Sequence, residues 1–163
     1  MERSNLLHPI PPTFDADSEI LILGSFPSPK SRESGYFYGH PQNRFWRVVA
    51  AIFEDAVPES VSEKHAFLIR HHIAAWDVIR SCTITGASDS SITDVVVNEI
   101  TPILQTANIR NIYVNGKTAF RYYRKYMQPI TGREAICLPS TSPANAAWSL
   151  ERLTEAWRVM RQF

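Results

Sequence analysis

Tyr36, Phe37 and Tyr38 are followed within a few residues by His40, Asn43 and Arg44, in the run Tyr36 to Trp46 (YFYGHPQNRFW), just ahead of a helical pattern. Flat rings stack on nucleobases, and an asparagine amide can hydrogen-bond their edges, so this combination suits a base-holding site. Asn43 equally suits a helix N-cap. Phe45 and Trp46, which begin the helical pattern, suit the core.

Two more segments have a composition that could meet a ligand. The apolar run Glu19 to Gly24 (EILILG) leads directly into Gly24-Ser25-Phe26-Pro27-Ser28, and glycine at a strand's carboxyl end lets backbone approach a bound group. This turn is not a P-loop, because no Gly-Lys-Ser/Thr follows. Leu138 to Asn145 (LPSTSPAN) supplies hydroxyls and two stiffening prolines. Such a loop can grip phosphates through Ser140, Thr141 and Ser142, or form a plain Pro/Ser turn.

The elements that must carry these segments alternate between two periodicities. Glu19–Gly24, Asn111–Gly116 (NIYVNG) and Glu134–Pro139 (EAICLP) are short apolar runs, as expected of strands buried on both faces of a parallel sheet. Phe45, Val48, Val49, Ile52 and Phe53 keep helical spacing, as do Leu150, Leu153, Trp157 and Met160. Ile73–Ile79 (IAAWDVI) predicts a further strand. Ser91 with Asp94 predicts a capped helix from Ile92, limited or kinked by Pro102. Strands alternating with helices predict an α/β layered fold. The long connection from Phe26 to Gln42 is a candidate functional loop.

A chain of 163 residues suits one compact domain spanning 1–163. With a net charge of +1, any basic surface must be local. The two cysteines, Cys82 and Cys137, are too few for a disulfide scaffold or a four-thiolate cluster. The start breaks at Pro9, Pro11 and Pro12 without a signal-peptide core, and no run approaches a membrane span. A cytoplasmic protein is expected, nucleoid-associated in a prokaryote or nuclear in a eukaryote.

Taken in order, Gly24–Ser28, Tyr36–Trp46, Asn115-Gly116-Lys117 and Leu138–Asn145 resemble the DNA-deoxyinosine (hypoxanthine-DNA) glycosylase family of the uracil-DNA glycosylase superfamily. Trp76–Ile79 and Gly86–Ile92 (GASDSSI) share the resemblance. It implies a three-layer α/β/α sandwich with a short, mostly parallel four-stranded central sheet. It further implies excision of deaminated bases, hypoxanthine and also uracil, from DNA by base flipping, without metal or organic cofactor. Gly24, Ser25, Phe26, Pro27, Tyr38, His40 and Asn115 would form the base pocket. Ser140, Thr141 and Ser142 would hold phosphate, Pro143 and Ala144 would wedge into the stack, and Asn145 completes that loop. A single open DNA-binding face implies a monomer.

The sequence departs from the superfamily at two positions. Phe26 stands where several branches carry the Asp or Asn that places water, and Leu138 where the uracil-specific branch carries a histidine that steadies the departing base. The resemblance therefore moves the catalytic role to Asn43, whose carbonyl would orient water or whose amide N–H would hold the base. The DNA phosphates would help stabilise the sugar cation. Lys30 offers Schiff-base lyase chemistry, although no feature of the sequence depresses its pKa. Lys117 suits phosphate contact or a solvated helix start. Asp77 and Asp89 suit pocket tuning or turn roles. Two rival functions are a damage-binding module without catalysis and a small-nucleotide or phosphometabolite site at the strand ends.

Overall fold

The computed structural model describes residues 3–85 and 89–161. Four strands, β2 (Ile20–Gly24), β3 (Ile73–Asp77), β6 (Asn111–Asn115) and β7 (Ala135–Leu138), form a parallel sheet in the order β3-β2-β6-β7. The central strand shows why these runs lack alternation. Every residue of β2 is buried, with Ile20 and Ile22 packing on one face of the sheet and Leu21 and Leu23 on the other.

The first face is covered by α2 (Phe45–Ile52), α3 (Val61–Arg70) and α7 (Leu150–Trp157), which contribute Phe45, Val48, Phe67, Leu153 and Trp157 to its core. The second is covered by α4 (Thr101–Thr106), α5 (Lys117–Tyr122) and the wider turn Tyr123–Met127 that continues it. This is the three-layer α/β/α arrangement expected from the sequence. The candidate loop after β2 contains a short helix, α1 (Pro29–Ser34), begun by the Ser28 side-chain cap and ended by Gly35 in the left-handed region.

A second, antiparallel sheet in the order β1-β4-β5 joins β1 (Arg3–Leu7), β4 (Ile79–Thr85) and β5 (Thr93–Val97). It corrects two sequence expectations. Ile73–Ile79 is not one strand: the chain turns at Val78, whose N–H bonds to Gly24 O at 2.7 Å, and Ile79 begins β4. The buried Asn98 amide satisfies the corner by donating to Asp77 O at 2.9 Å and Ile79 O at 3.2 Å.

The predicted helix from Ile92 is instead strand β5. Thr93, Val95, Val96 and Val97 are β-branched and favour the pleated conformation over a helix. Ser91 does not cap a helix; its hydroxyl accepts the Thr85 N–H at 2.8 Å. Pro102 neither ends nor kinks such a helix, but occupies the first turn of α4, where its missing N–H costs nothing. Of the Gly86–Ile92 motif, residues 86–88 lie outside the described residues. No helix among the described residues is long and apolar enough to cross a membrane.

Candidate active site

The carboxyl ends of β2, β3, β6 and β7 open into a cavity of about 350 Å³, within the usual range for a small-ligand site. Gly24, Ser25, Phe26 and Pro27 line it from β2, and Asp77 from β3. Asn115 lines it from β6, Ser140, Thr141, Ser142 and Ala144 from the loop after β7, and Tyr38 and Asn43 from the segment before α2. His40, Pro143 and Asn145 are not among the lining residues. His40 Nδ1 instead accepts the Gln42 N–H at 3.1 Å, and the Asn145 amide donates to Ser140 O at 2.9 Å, shaping its own loop.

Three tryptophans tether the segments around the cavity. Trp46 Nε1 donates to Phe37 O at 3.1 Å, Trp157 Nε1 to Pro139 O at 2.9 Å, and Trp76 Nε1 to Ile10 O at 2.9 Å. Their ring bodies pack on the apolar core while each N–H fixes a loop carbonyl. Phe45 and Trp46 are thus core residues, as expected.

Asn43 occupies the junction of three chain segments. Its Oδ1 accepts the Phe45 N–H at 2.9 Å and the Thr141 hydroxyl at 2.8 Å. Because the Phe45 amide can only donate, the atom facing it must be the oxygen. The Nδ2 amino group makes no hydrogen bond among the described residues. Asn43 is not the N-cap of α2, a position held by Arg44 without a side-chain cap bond; its oxygen closes a turn onto the first residue of the helix, while its amino group remains available to a ligand.

Thr141 is fully buried and links this oxygen to β6. Asn115 Nδ2 donates to Thr141 Oγ1 at 2.9 Å, and Thr141 N–H donates back to Asn115 Oδ1 at 3.0 Å. The hydroxyl expected to grip phosphate is thus spent inside the protein, a correction the sequence could not supply. Gly116, at φ +96°, permits this approach, since a Cβ there would lie 3.1 Å from Ser140 Cβ. Thr141→Val is isosteric but leaves the Asn115 amide without its acceptor, and should lower unfolding free energy by about 1–3 kcal/mol. Urea denaturation checks this, with Thr141→Ser expected to retain most of the stability.

Arg44 anchors the same loop. Its backbone N–H donates to Thr141 O at 3.1 Å, and its guanidinium donates to Ser142 O at 3.0 Å, Asn145 O at 3.1 Å and Trp148 O. No acidic side chain pairs with it among the described residues. Its charge is therefore committed to holding backbone carbonyls.

Tyr38 lies in the left-handed region at φ +52°, with its ring stacked on Phe45 at 4.1 Å. Its hydroxyl is buried and makes no hydrogen bond of normal geometry among the described residues. Burial, reinforced by the nearby Asp77 carboxyl, holds this phenol above its ordinary pKa, so it remains protonated. Gly24 is required beneath this pair, because a Cβ there would lie 2.3 Å from Asp77 Oδ1 and 3.0 Å from Tyr38 Oη.

Two further site residues were weakly marked in the sequence. Asp77 suited a turn role at least as well as a pocket role, and His8, in the proline-broken start, carried no motif at all. The structure joins them through His8 Nε2 and Asp77 Oδ2 at 2.7 Å. Lys30 is exposed and pairs with Glu33 at 3.6 Å, and neither it nor Lys117 lines the cavity.

Residues 11–161 match the uracil DNA glycosylase superfamily. Two proteins named hypoxanthine DNA glycosylase are similar over nearly the whole chain. The one from Methanosarcina acetivorans is 34% identical over 156 residues, 93% of this chain and 96% of its own. The one from Methanosarcina barkeri is 34% identical over 152 residues, 90% of this chain and 92% of its own. A solution NMR structure from M. acetivorans, provisionally assigned as a uracil DNA glycosylase, superposes with a TM-score of 0.80 at 33% identity, covering 94% of this chain and 95% of that one. The chain belongs to the uracil DNA glycosylase superfamily and is a DNA glycosylase.

Proposed function

We propose that this protein hydrolyses the N-glycosidic bond of deaminated bases in DNA, hypoxanthine foremost and uracil second, after flipping the nucleotide into the cavity. The observation that carries this reading is the Asn43 amide, whose oxygen is fixed by two protein donors while its amino group is left for the base. The names of the two Methanosarcina relatives support hypoxanthine as the first substrate.

Flipping costs a few kcal/mol of unstacking, least where the base is already mispaired. The glycosidic bond then breaks through an oxocarbenium-like sugar, and negative charge develops on the departing base. Asn43 Nδ2 donates to that charge, a role that Leu138 cannot perform. Water completes the sugar, and the DNA phosphates help hold the cation. The reaction consumes only water, and the product is an abasic site in an intact strand.

Around the pocket, Ser140, Ser142 and backbone N–H groups of the loop contact phosphate, while exposed Ala144 and its neighbour Pro143 fill the vacated stack. A single domain acting as a monomer suits this one-sided arrangement.

The test is chromatographic detection of the free base released from a duplex containing one hypoxanthine, with the strand examined before and after alkali. Free hypoxanthine, with breakage only after alkali, is expected. Breakage without alkali together with a borohydride-trapped adduct would instead establish lyase chemistry. Tight, salt-dependent DNA binding without release would leave a damage-binding module.

A further inference from the structure

From Ile100 to Arg133 the chain contains no aspartate or glutamate, while Arg110, Lys117, Arg121, Arg124, Lys125 and Arg133 all fall within it. The 16 acidic residues lie elsewhere, so a chain of net charge +1 concentrates positive charge in this one stretch. The local basic surface that a near-neutral protein needs for a polyanion therefore has a place.

Four of these cations share one stripe. Lys117, Arg121, Arg124 and Lys125 stand on α5 and the wider turn that continues it, at the helical spacing i, i+4, i+7 and i+8, and all four are exposed. Ala119, Tyr123 and Met127 occupy the opposite, buried side. Exposed arginines elsewhere sit beside carboxylates, Arg70 with Asp55, Arg110 with Glu19 and Arg158 with Glu155. None of the four stripe residues forms such a pair among the described residues. Aromatic rings steady three of them instead. The Arg121 guanidinium lies 5.0 Å from the Tyr122 ring centroid, that of Arg124 5.5 Å from Phe120, and Lys125 Nζ 5.2 Å from Tyr126. These contacts restrict long side chains, which then lose less entropy on meeting a ligand, without neutralising their charge.

The stripe starts at the cavity. Asn115, which lines it, is followed by Gly116 and then Lys117, and Gly116 lies against Ser140, another lining residue. Because β6 and β7 are parallel, the chain between them must return toward the amino-terminal ends of the strands. The stripe therefore descends the outer flank of the molecule, and at about 1.5 Å per residue Lys125 lies about 12 Å below Lys117.

We propose that Arg121, Arg124 and Lys125 bind the phosphate backbone of the duplex arm that leaves the cavity on this side, so that bound DNA bends over the rim onto α5. Unpaired cations aligned in one direction suit a polyanion of regular charge, and the tyrosine hydroxyls beside them can add hydrogen bonds to phosphate oxygens. Bending is least costly at a nucleotide already flipped, where stacking is broken. The proposal requires only that DNA crosses the cavity and is independent of which base is excised.

The test compares wild type with Arg121→Gln/Arg124→Gln/Lys125→Gln, in which glutamine preserves helix propensity at exposed positions. Affinity is measured by fluorescence anisotropy between about 50 and 200 mM salt. Each duplex carries one tetrahydrofuran abasic analogue. The first spans about one helical turn centred on it, and two others are extended by about two turns to one side or the other. Wild type should bind one of the extended duplexes with a steeper salt slope than the short one. The variant should lose about two to three units of that slope, and about tenfold or more in affinity for that duplex at low salt. Both proteins should bind the short duplex alike, which reports an intact fold. Arg121→Lys/Arg124→Lys keeps the charges and should retain the slope. In a duplex extended on both sides, end-to-end energy transfer should rise on binding wild type and rise less with the variant.

Equal slopes for the two proteins on every duplex would overturn the assignment and leave the stripe to an acidic protein surface. Equal losses on both extended duplexes, or a loss on the short one, would overturn it as well, because the charges would then act as a general field rather than along one flank. A duplex left equally straight by both proteins would overturn the bend.

Discussion

Asn43→Asp should remain folded and lose hypoxanthine excision by about a hundredfold to a thousandfold, the range observed when one charge-stabilising donor is removed from an active site. Aspartate keeps the oxygen that accepts from Phe45 N and Thr141 Oγ1, so the start of α2 and the link to β6 survive. It removes the Nδ2 donor and puts a second acceptor where the departing base gains negative charge. Asn43→Ala is less informative, because it also deletes the oxygen that accepts from Phe45 N and Thr141 Oγ1, leaving both donors unpaired at a cost of about 1–3 kcal/mol. Single-turnover excision measured beside urea denaturation separates these effects. Retained activity in Asn43→Asp would mean that the carbonyl oxygen does the catalytic work by orienting water.

Arg44→Ala should produce the largest loss of stability among the site variants. Three backbone carbonyls, those of Ser142, Asn145 and Trp148, lose a charged donor together. Charge-assisted hydrogen bonds contribute about 1.5–3 kcal/mol each. Removing Arg44 Nε, which is buried with no partner among the described residues, offsets part of this, so a net loss of about 2–4 kcal/mol is expected. Because the freed segment is the loop that should meet DNA, affinity for an abasic duplex should fall with it. Arg44→Lys should recover little, since one ammonium lacks the planar fork that spans three carbonyls. Urea melts and fluorescence-anisotropy titrations measure the two effects. Normal DNA affinity in a destabilised Arg44→Ala would show that the loop holds its shape without this anchor.

The sheet was legible in the sequence because β2 and β6 are apolar runs packed between two helical layers, and such runs have few alternative structures. The similar run of β7 forms a strand as expected but not one buried on both faces: it is the edge of the sheet, with Ile136 and Cys137 exposed. Strand β5 was not legible: Ser91 and Asp94 have the spacing of a helix cap, and the β-branched character of residues 93–97 prevails only once β4 offers a pairing edge. The division of Ile73–Ile79 depends on Gly24 O and Ser25 O, which receive the N–H groups of Val78 and Ile79. No local pattern encodes those contacts.

At the site, the residue types before α2 indicated Asn43, but the use of its two amide atoms did not follow from them. That depends on Thr141, 98 residues away in sequence. The same distance effect reassigns Thr141 from an expected phosphate contact to an internal link. His8 is the plainest omission. It lies in a proline-broken opening with no motif, and only the antiparallel pairing of β1 with β4 carries that opening toward the pocket, where His8 meets Asp77.

The most direct measurement is single-turnover excision by the wild-type protein on three matched duplexes containing one hypoxanthine, one uracil or one adenine at the same position. The account predicts that hypoxanthine is released fastest, uracil more slowly and adenine not at all. Comparable release of adenine, or no release of either deaminated base by folded protein that binds the duplexes, would contradict it.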